Sequence, residues 1–280
     1  MDNMALLQIQ IYTKKFFRTL RKESIVSIFI GIIITILVMT VTENGMFDHF
    51  EGTRSGLFSL VCVCIWIGIF NSIQLVCREK NDIVKDELDK SLRASSYMAA
   101  HFIYQFFLCM IQSVIVCAIF LLYMIDKLSG SPIAYLITIF LVIYASDAMA
   151  FVISSAVPNP IVAMTVMPLL LLIQLVMADV LFELSGISEV IAEFTISKWS
   201  MMAFGNIGDI CALGSSMSEK MSDMPGIEPK GGWISQANLD KYGGGFGDVF
   251  LCWLIFLFFI AAFYFLSVAA LKLTTRTIKK

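Results

Sequence analysis

Six long apolar runs, almost free of charge, restrict this chain more than any other feature of its sequence. They cover residues 24–42, 55–77, 96–125, 132–157, 161–184 and 249–271. Each approaches or exceeds the roughly 20 residues that a helix needs to cross a hydrocarbon core. In lipid the backbone has no water to bond, so an isolated apolar segment must be helical to satisfy its own N–H and C=O groups. The pattern therefore predicts an all-α polytopic membrane protein with six transmembrane helices. His101 interrupts the third run and Asp147 the fourth, while Asp179 and Glu183 stand near the far end of the fifth. Pro158-Asn159-Pro160 separates runs four and five and predicts a tight helical hairpin.

Composition agrees. Hydrophobic residues make up 58% of the 280 and charged residues 15%, against about 25% charged in soluble domains. The net charge of −2 argues against a nucleic-acid partner. Six of the seven cysteines lie in or beside the apolar runs, where they read as small packing residues and not as a disulfide framework.

Lys and Arg set the expected orientation. Lys14, Lys15, Arg18, Arg21 and Lys22 precede run one. Arg78, Lys80, Lys85, Lys90 and Arg93 lie between runs two and three, and Lys272, Arg276, Lys279 and Lys280 follow run six. With an even number of spans these clusters share one side, which predicts both termini in the cytoplasm. The first run follows a long, partly basic stretch and lacks a small-residue cleavage site, so it reads as a span and not a signal peptide. Residues 6–22 alternate apolar and basic groups. Either this is an interfacial helix with Ile9, Phe16, Phe17 and Leu20 facing lipid, or it is a charged topology anchor with no further role.

Catalytic motifs are missing. There is no G-x-x-x-x-G-K-[ST] loop, no H-E-x-x-H, and only His49 and His101. Catalytic residues, metal ligands and bound cofactors are accordingly not expected, and transport is the default for such a bundle. Residues 78–93 are the most informative polar stretch. Val84, Leu88 and Leu92 form a stripe, and Asp86–Lys90 and Asp89–Arg93 are i,i+4 pairs with the acid first, an order that supports a helix. A short amphipathic cytoplasmic helix follows, either a docking element or a solvated one. Asp147 must face the bundle interior, as a substrate or proton contact or as an interhelical hydrogen bond, because a charge at mid-bilayer costs at least about 2.5 kcal/mol. Asn71 and Gln74 in run two, and Tyr97, His101 and Gln105 along one face of run three, read as interhelical polar contacts.

The stretch Arg78-Glu79-Lys80, Glu87 and Leu92-Arg93-Ala94-Ser95-Ser96-Tyr97 resembles the E-R/K…(Y/L)-R-x-S-S-Y pattern of the ABC type-2 permease family, in its ABCG-like membrane domains. Other segments resemble the same family in the right order. They are residues 6–24 (its connecting helix), 159–184 (its fifth span) and 195–204, T-I-S-K-W-S-M-M-A-F (its outer re-entrant segment). Ser197 and Lys198 stand where the family commonly has Pro and Arg, and Met177-Ala178-Asp179 where it often has a Gly-containing step.

The resemblance implies a connecting helix over residues 1–23 and a six-span domain over 24–280. Within that domain it implies a coupling helix at 78–93 and an outer loop with a re-entrant segment at 185–247. Arg78, Glu79, Lys80, Val84, Glu87, Leu88, Leu92 and Arg93 would couple to a separate ATP-binding subunit, which would hold ATP and magnesium. A second six-span subunit, identical or not, would complete a pathway touched by Asn71 and Gln74, with Val180, Leu181 and Asp179 at the gate. The implied function is the permease subunit of an ATP-driven exporter in a bacterial plasma membrane. The alternative is an ion-coupled secondary transporter using Asp147 and Asp179, against which the runs show no inverted repeat.

Overall fold

In the computed structural model, residues 3–18, 22–42, 46–88, 94–125, 127–182, 184–215, 242–243 and 245–278 are described. Among them every regular element is a helix: α1 Asn3–Arg18, α2 Lys22–Thr42, α3 Phe50–Ser72, α4 Leu75–Leu88 and α5 Ala94–Tyr123. There follow α6 Pro132–Ala156, α7 Pro160–Val176, α8 Ile187–Ala192, α9 Ile196–Ile207 and α10 Phe246–Ile278. Five of these are long and apolar enough to cross a membrane: α2, α3, α5, α6 and α10.

The fifth expected span is shorter than its apolar run. α7 has 17 residues, a rise of about 26 Å, slightly under the ~30 Å of a hydrocarbon core. It ends at Val176, Met177 leaves the helical conformation (φ −83°, ψ 4°), and the chain then turns through Asp179, which is left-handed (φ 58°). The hairpin before it is as the sequence predicts. Val157 is extended ahead of Pro158, Asn159 Oδ1 accepts the Val162 N–H at 3.0 Å, and Pro160 occupies the first turn of α7.

α6 is the central helix, packed against α3, α5 and α10, and most of its residues are buried. Gly68 brings α3 unusually close: a Cβ there would stand 2.3 Å from the Ile143 carbonyl oxygen and 2.7 Å from Ser146 Cβ. Small residues at a crossing allow this approach. One end of the bundle carries α1, α4 and the α6–α7 turn. At the other, α9 packs against α3, α6 and α10, burying Ile196, Met201 and Phe204.

α4 differs from expectation. It begins at Leu75, almost continuous with α3, and its buried face carries Val76, Lys80 and Ile83 at i, i+4 and i+7. The side chains of Val84, Glu87 and Leu88, and residues Leu92 and Arg93 altogether, lie outside the described set. α1 forms as predicted, but among its described side chains the exposed apolar ones are Leu7 and Ile11, with Lys14 beside them, whereas Ile9 is half-buried. Leu20 and the side chains of Phe16 and Phe17 lie outside the described set.

Candidate functional site

Among the described residues, three polar clusters interrupt the apolar packing. The first lies inside the bundle. Asp147 on α6 is fully buried, and its Oδ1 accepts the Ser72 hydroxyl of α3 at 2.5 Å. Gln105 of α5 donates through Nε2 to Ser72 Oγ at 2.8 Å. One turn back from Ser72, Gly68 sets the α3–α6 distance that makes the Ser72–Asp147 bond possible. Asn71 joins the adjacent group: its Nδ2 donates to Gln112 Oε1 at 2.7 Å, and its Oδ1 accepts the Ser27 hydroxyl of α2 at 2.6 Å. The network thus ties α2, α3, α5 and α6. Asp147 meets the bundle interior, as the cost of a lone charge in lipid demands. Asn71 is a strut within the bundle, its amide committed to α2 and α5. Gln74 is hydrogen-bonded to Arg78, one turn on.

The second cluster is at the α4 end. Lys80 is buried, and its Nζ donates to the Ser155 and Val157 carbonyls at 2.9 and 2.7 Å. Ser154 Oγ accepts the Val76 and Cys77 N–H groups at 3.0 and 3.2 Å. Thr274 of α10 donates to the Ser155 carbonyl at 3.1 Å. Glu79 accepts the Tyr97 hydroxyl at 2.6 Å, and His101 Nε2 stands 3.7 Å from the same oxygen. Arg78, by contrast, is exposed. Three adjacent residues expected to share one role therefore face different ways: Arg78 outward, Glu79 to α5, and Lys80 to α6.

The third cluster is at the α9 end. Arg54 is buried and donates through Nη2 to the Asp179 carbonyl at 2.8 Å, holding the left-handed turn that ends α7. The Asp179 carboxylate accepts the Leu184 N–H at 3.2 Å. Tyr242 hydrogen-bonds to Arg54; burial pushes its phenol upward, and the guanidinium partly counters that. Its ring occupies space that only Gly205 leaves open, since a Cβ there would lie 2.4 Å from Tyr242 Cδ1. Val180 and Leu181 do not share a face: Val180 is buried in the core, whereas Leu181 is exposed, as is Phe182. Gln174 anchors α9 to α7 by accepting the Ser197 N–H at 3.1 Å.

Sequence reasoning missed Arg54, Ser154 and Gln112. Gln112 extends the 97–101–105 stripe by seven residues, a signal present in the sequence. Arg54 appears there only as a lone cation at the mouth of an apolar run.

A helical bundle with five helices of membrane-crossing length, amphipathic helices at one end and a docked short helix at the other is the architecture of a multi-pass membrane domain. The sequence matches the family described as ABC-2 type transporter over residues 7–208. The chain belongs to that family. Comparison with curated proteins returns no match.

Proposed function

We propose that this chain is the permease subunit of an ATP-driven exporter, working with separate ATP-binding subunits and a second six-span subunit. The observation that carries the reading is the family match over residues 7–208, together with an amphipathic helix, α4, joined to the end of α6. α7 serves as the sixth membrane-crossing element, its apolar run continuing through Leu181 and Phe182. The Lys and Arg clusters put α1, α4 and the C-terminus on the cytoplasmic side, in the plasma membrane of a bacterium.

The pathway lies between two subunits, along the unburied stripe of α3 (Ser55, Ser59, Cys62, Trp66) and the exposed face of α7 (Leu169, Leu172, Ile173). Leu181 is the gate residue, and Val180 and Asp179 shape the turn that presents it. ATP-driven closure of the partner subunits displaces α4, and the bundle tilts in response. Hydrolysis chemistry belongs to the partner. The apolar character of these faces favours an amphipathic or lipid-like substrate.

The test is affinity purification from native membranes in mild detergent, comparing wild type with Glu87→Arg. An ATP-binding subunit should accompany wild type and be lost from the variant. Wild type that brings down no such subunit, even after cross-linking, would refute the reading. The ion-coupled alternative would then be tested by proton uptake with Asp147→Asn.

A further inference from the structure

Lys80 is the least expected side chain in the molecule, a lysine buried in the centre of the inward face of α4. Its surroundings explain it. The last C=O groups of any helix lack intrahelical partners. After α6 the chain supplies few replacements, because Pro158 and Pro160 carry no N–H. The Lys80 ammonium takes their place, bonding the carbonyls of Ser155 and Val157, and Thr274 adds a second donor to Ser155. A cation at this position also meets the negative end of the α6 dipole.

The capping is reciprocal. The amides of Val76 and Cys77, in the first turn of α4, are orphan donors by the same rule, and Ser154 Oγ accepts both. Each helix therefore satisfies the other's free end, so neither slides without breaking charge-assisted bonds. Beyond the joint, Val157 leads through two prolines of fixed φ into the first turn of α7, which Asn159 caps. That connector has little slack.

We propose that Lys80 is a positioning residue that locks α4 to the α6–α7 turn, so that displacement of α4 is delivered to the start of α7. The inference rests on the exporter reading above, but it assigns Lys80 a role opposite to that of a surface contact. Arg78 faces outward, where a partner can reach it; Lys80 faces inward and carries the displacement onward. Removing the ammonium leaves α4 and its docking surface in place while disengaging α7.

The experiment uses the full chain purified from native membranes with its ATP-binding partner, bearing bioorthogonal spin labels at positions 25 and 161, both exposed. The distance distribution is read with and without ATP plus vanadate in wild type, Lys80→Met, Lys80→Arg and Ser154→Ala. Lys80→Met should retain the ATP-binding subunit but reduce the nucleotide-dependent shift at least about fivefold. Lys80→Arg, which keeps the donors, should restore it, and Ser154→Ala should weaken it from the other side of the joint. Loss of the ATP-binding subunit from Lys80→Met but not from Lys80→Arg would overturn the inference and make Lys80 a direct contact. A full shift in Lys80→Met would overturn it too. Absence of the subunit from wild type would instead overturn the exporter reading, and the inference with it.

Discussion

Replacing Gly68 by alanine should separate α3 from α6 and break the hydrogen bond that satisfies the buried acid. The new Cβ would stand 2.3 Å from the Ile143 oxygen, 2.7 Å from Ser146 Cβ and 2.9 Å from the Asp147 nitrogen. Two of these atoms are α6 backbone and cannot rotate away. Since a carbon and a carbonyl oxygen approach no closer than about 3.3 Å, the helices must part by about 1 Å at this level. Ser72 lies one turn along the same face, 2.5 Å from Asp147 Oδ1, so a comparable displacement takes that contact beyond hydrogen-bond range. Overpacking of this kind costs about 1–3 kcal/mol, and the lost bond adds about 0.6 kcal/mol on the scale measured between membrane helices.

Thermal unfolding in detergent, followed by tryptophan fluorescence, should show a clear fall in Tm. Infrared difference spectra of Gly68→Ala should show the Asp147 carboxyl signal moved from its wild-type frequency. Gly31→Ala is the control. There the added Cβ meets only side-chain atoms of Ile67, the nearest its terminal Cδ1 at 3.2 Å, which can turn aside, and Tm should hardly change. Equal behaviour of the two variants, or a wild-type Asp147 signal in Gly68→Ala, would refute the close-approach argument.

Asp147→Asn keeps a hydrogen-bonding group beside Ser72 and should alter stability by less than about 1 kcal/mol. Asp147→Leu should lower Tm measurably, and a tolerated Leu would show that the network does not hold the bundle. Arg54→Met leaves the Asp179 carbonyl and the Tyr242 hydroxyl without their donor, a loss of about 1–3 kcal/mol. Hydrogen exchange at residues 177–182 should then quicken, and unchanged exchange would remove Arg54 as the clamp of that turn. Gly205→Val should expel the Tyr242 ring, which a fluorescent reporter at position 242 would register as increased solvent exposure.

Most of the architecture was legible because lipid imposes simple rules. Five of the six apolar runs located helices of membrane-crossing length, the paired prolines located the α6–α7 hairpin, and the cost of a charge in lipid turned Asp147 inward. What escaped was whatever a distant element decides. The run from 161 to 184 reads as a single span, yet the Asp179 turn and the Arg54 clamp stop α7 at Val176, and Arg54 is far away in sequence. The stripe of Val84, Leu88 and Leu92 is visible in the sequence, while the inward face of α4, Val76, Lys80 and Ile83, is hidden there by the lysine at its centre. A lysine reads as solvent-facing until the two prolines after α6 show that its carbonyls need a donor. The polar network was half legible, since the 97–101–105 stripe pointed to one face of α5, but its partners on α2, α3 and α6 depend on helix packing.

The proposed function requires that a nucleotide-binding partner dock on α4. Its most direct test is a photo-activatable amino acid placed at position 87 on α4 and, separately, at position 161 on α7, irradiated in native membranes. A covalent adduct with an ATP-binding subunit is expected from position 87 and none from position 161. No adduct from position 87, or equal adducts from both, would contradict it.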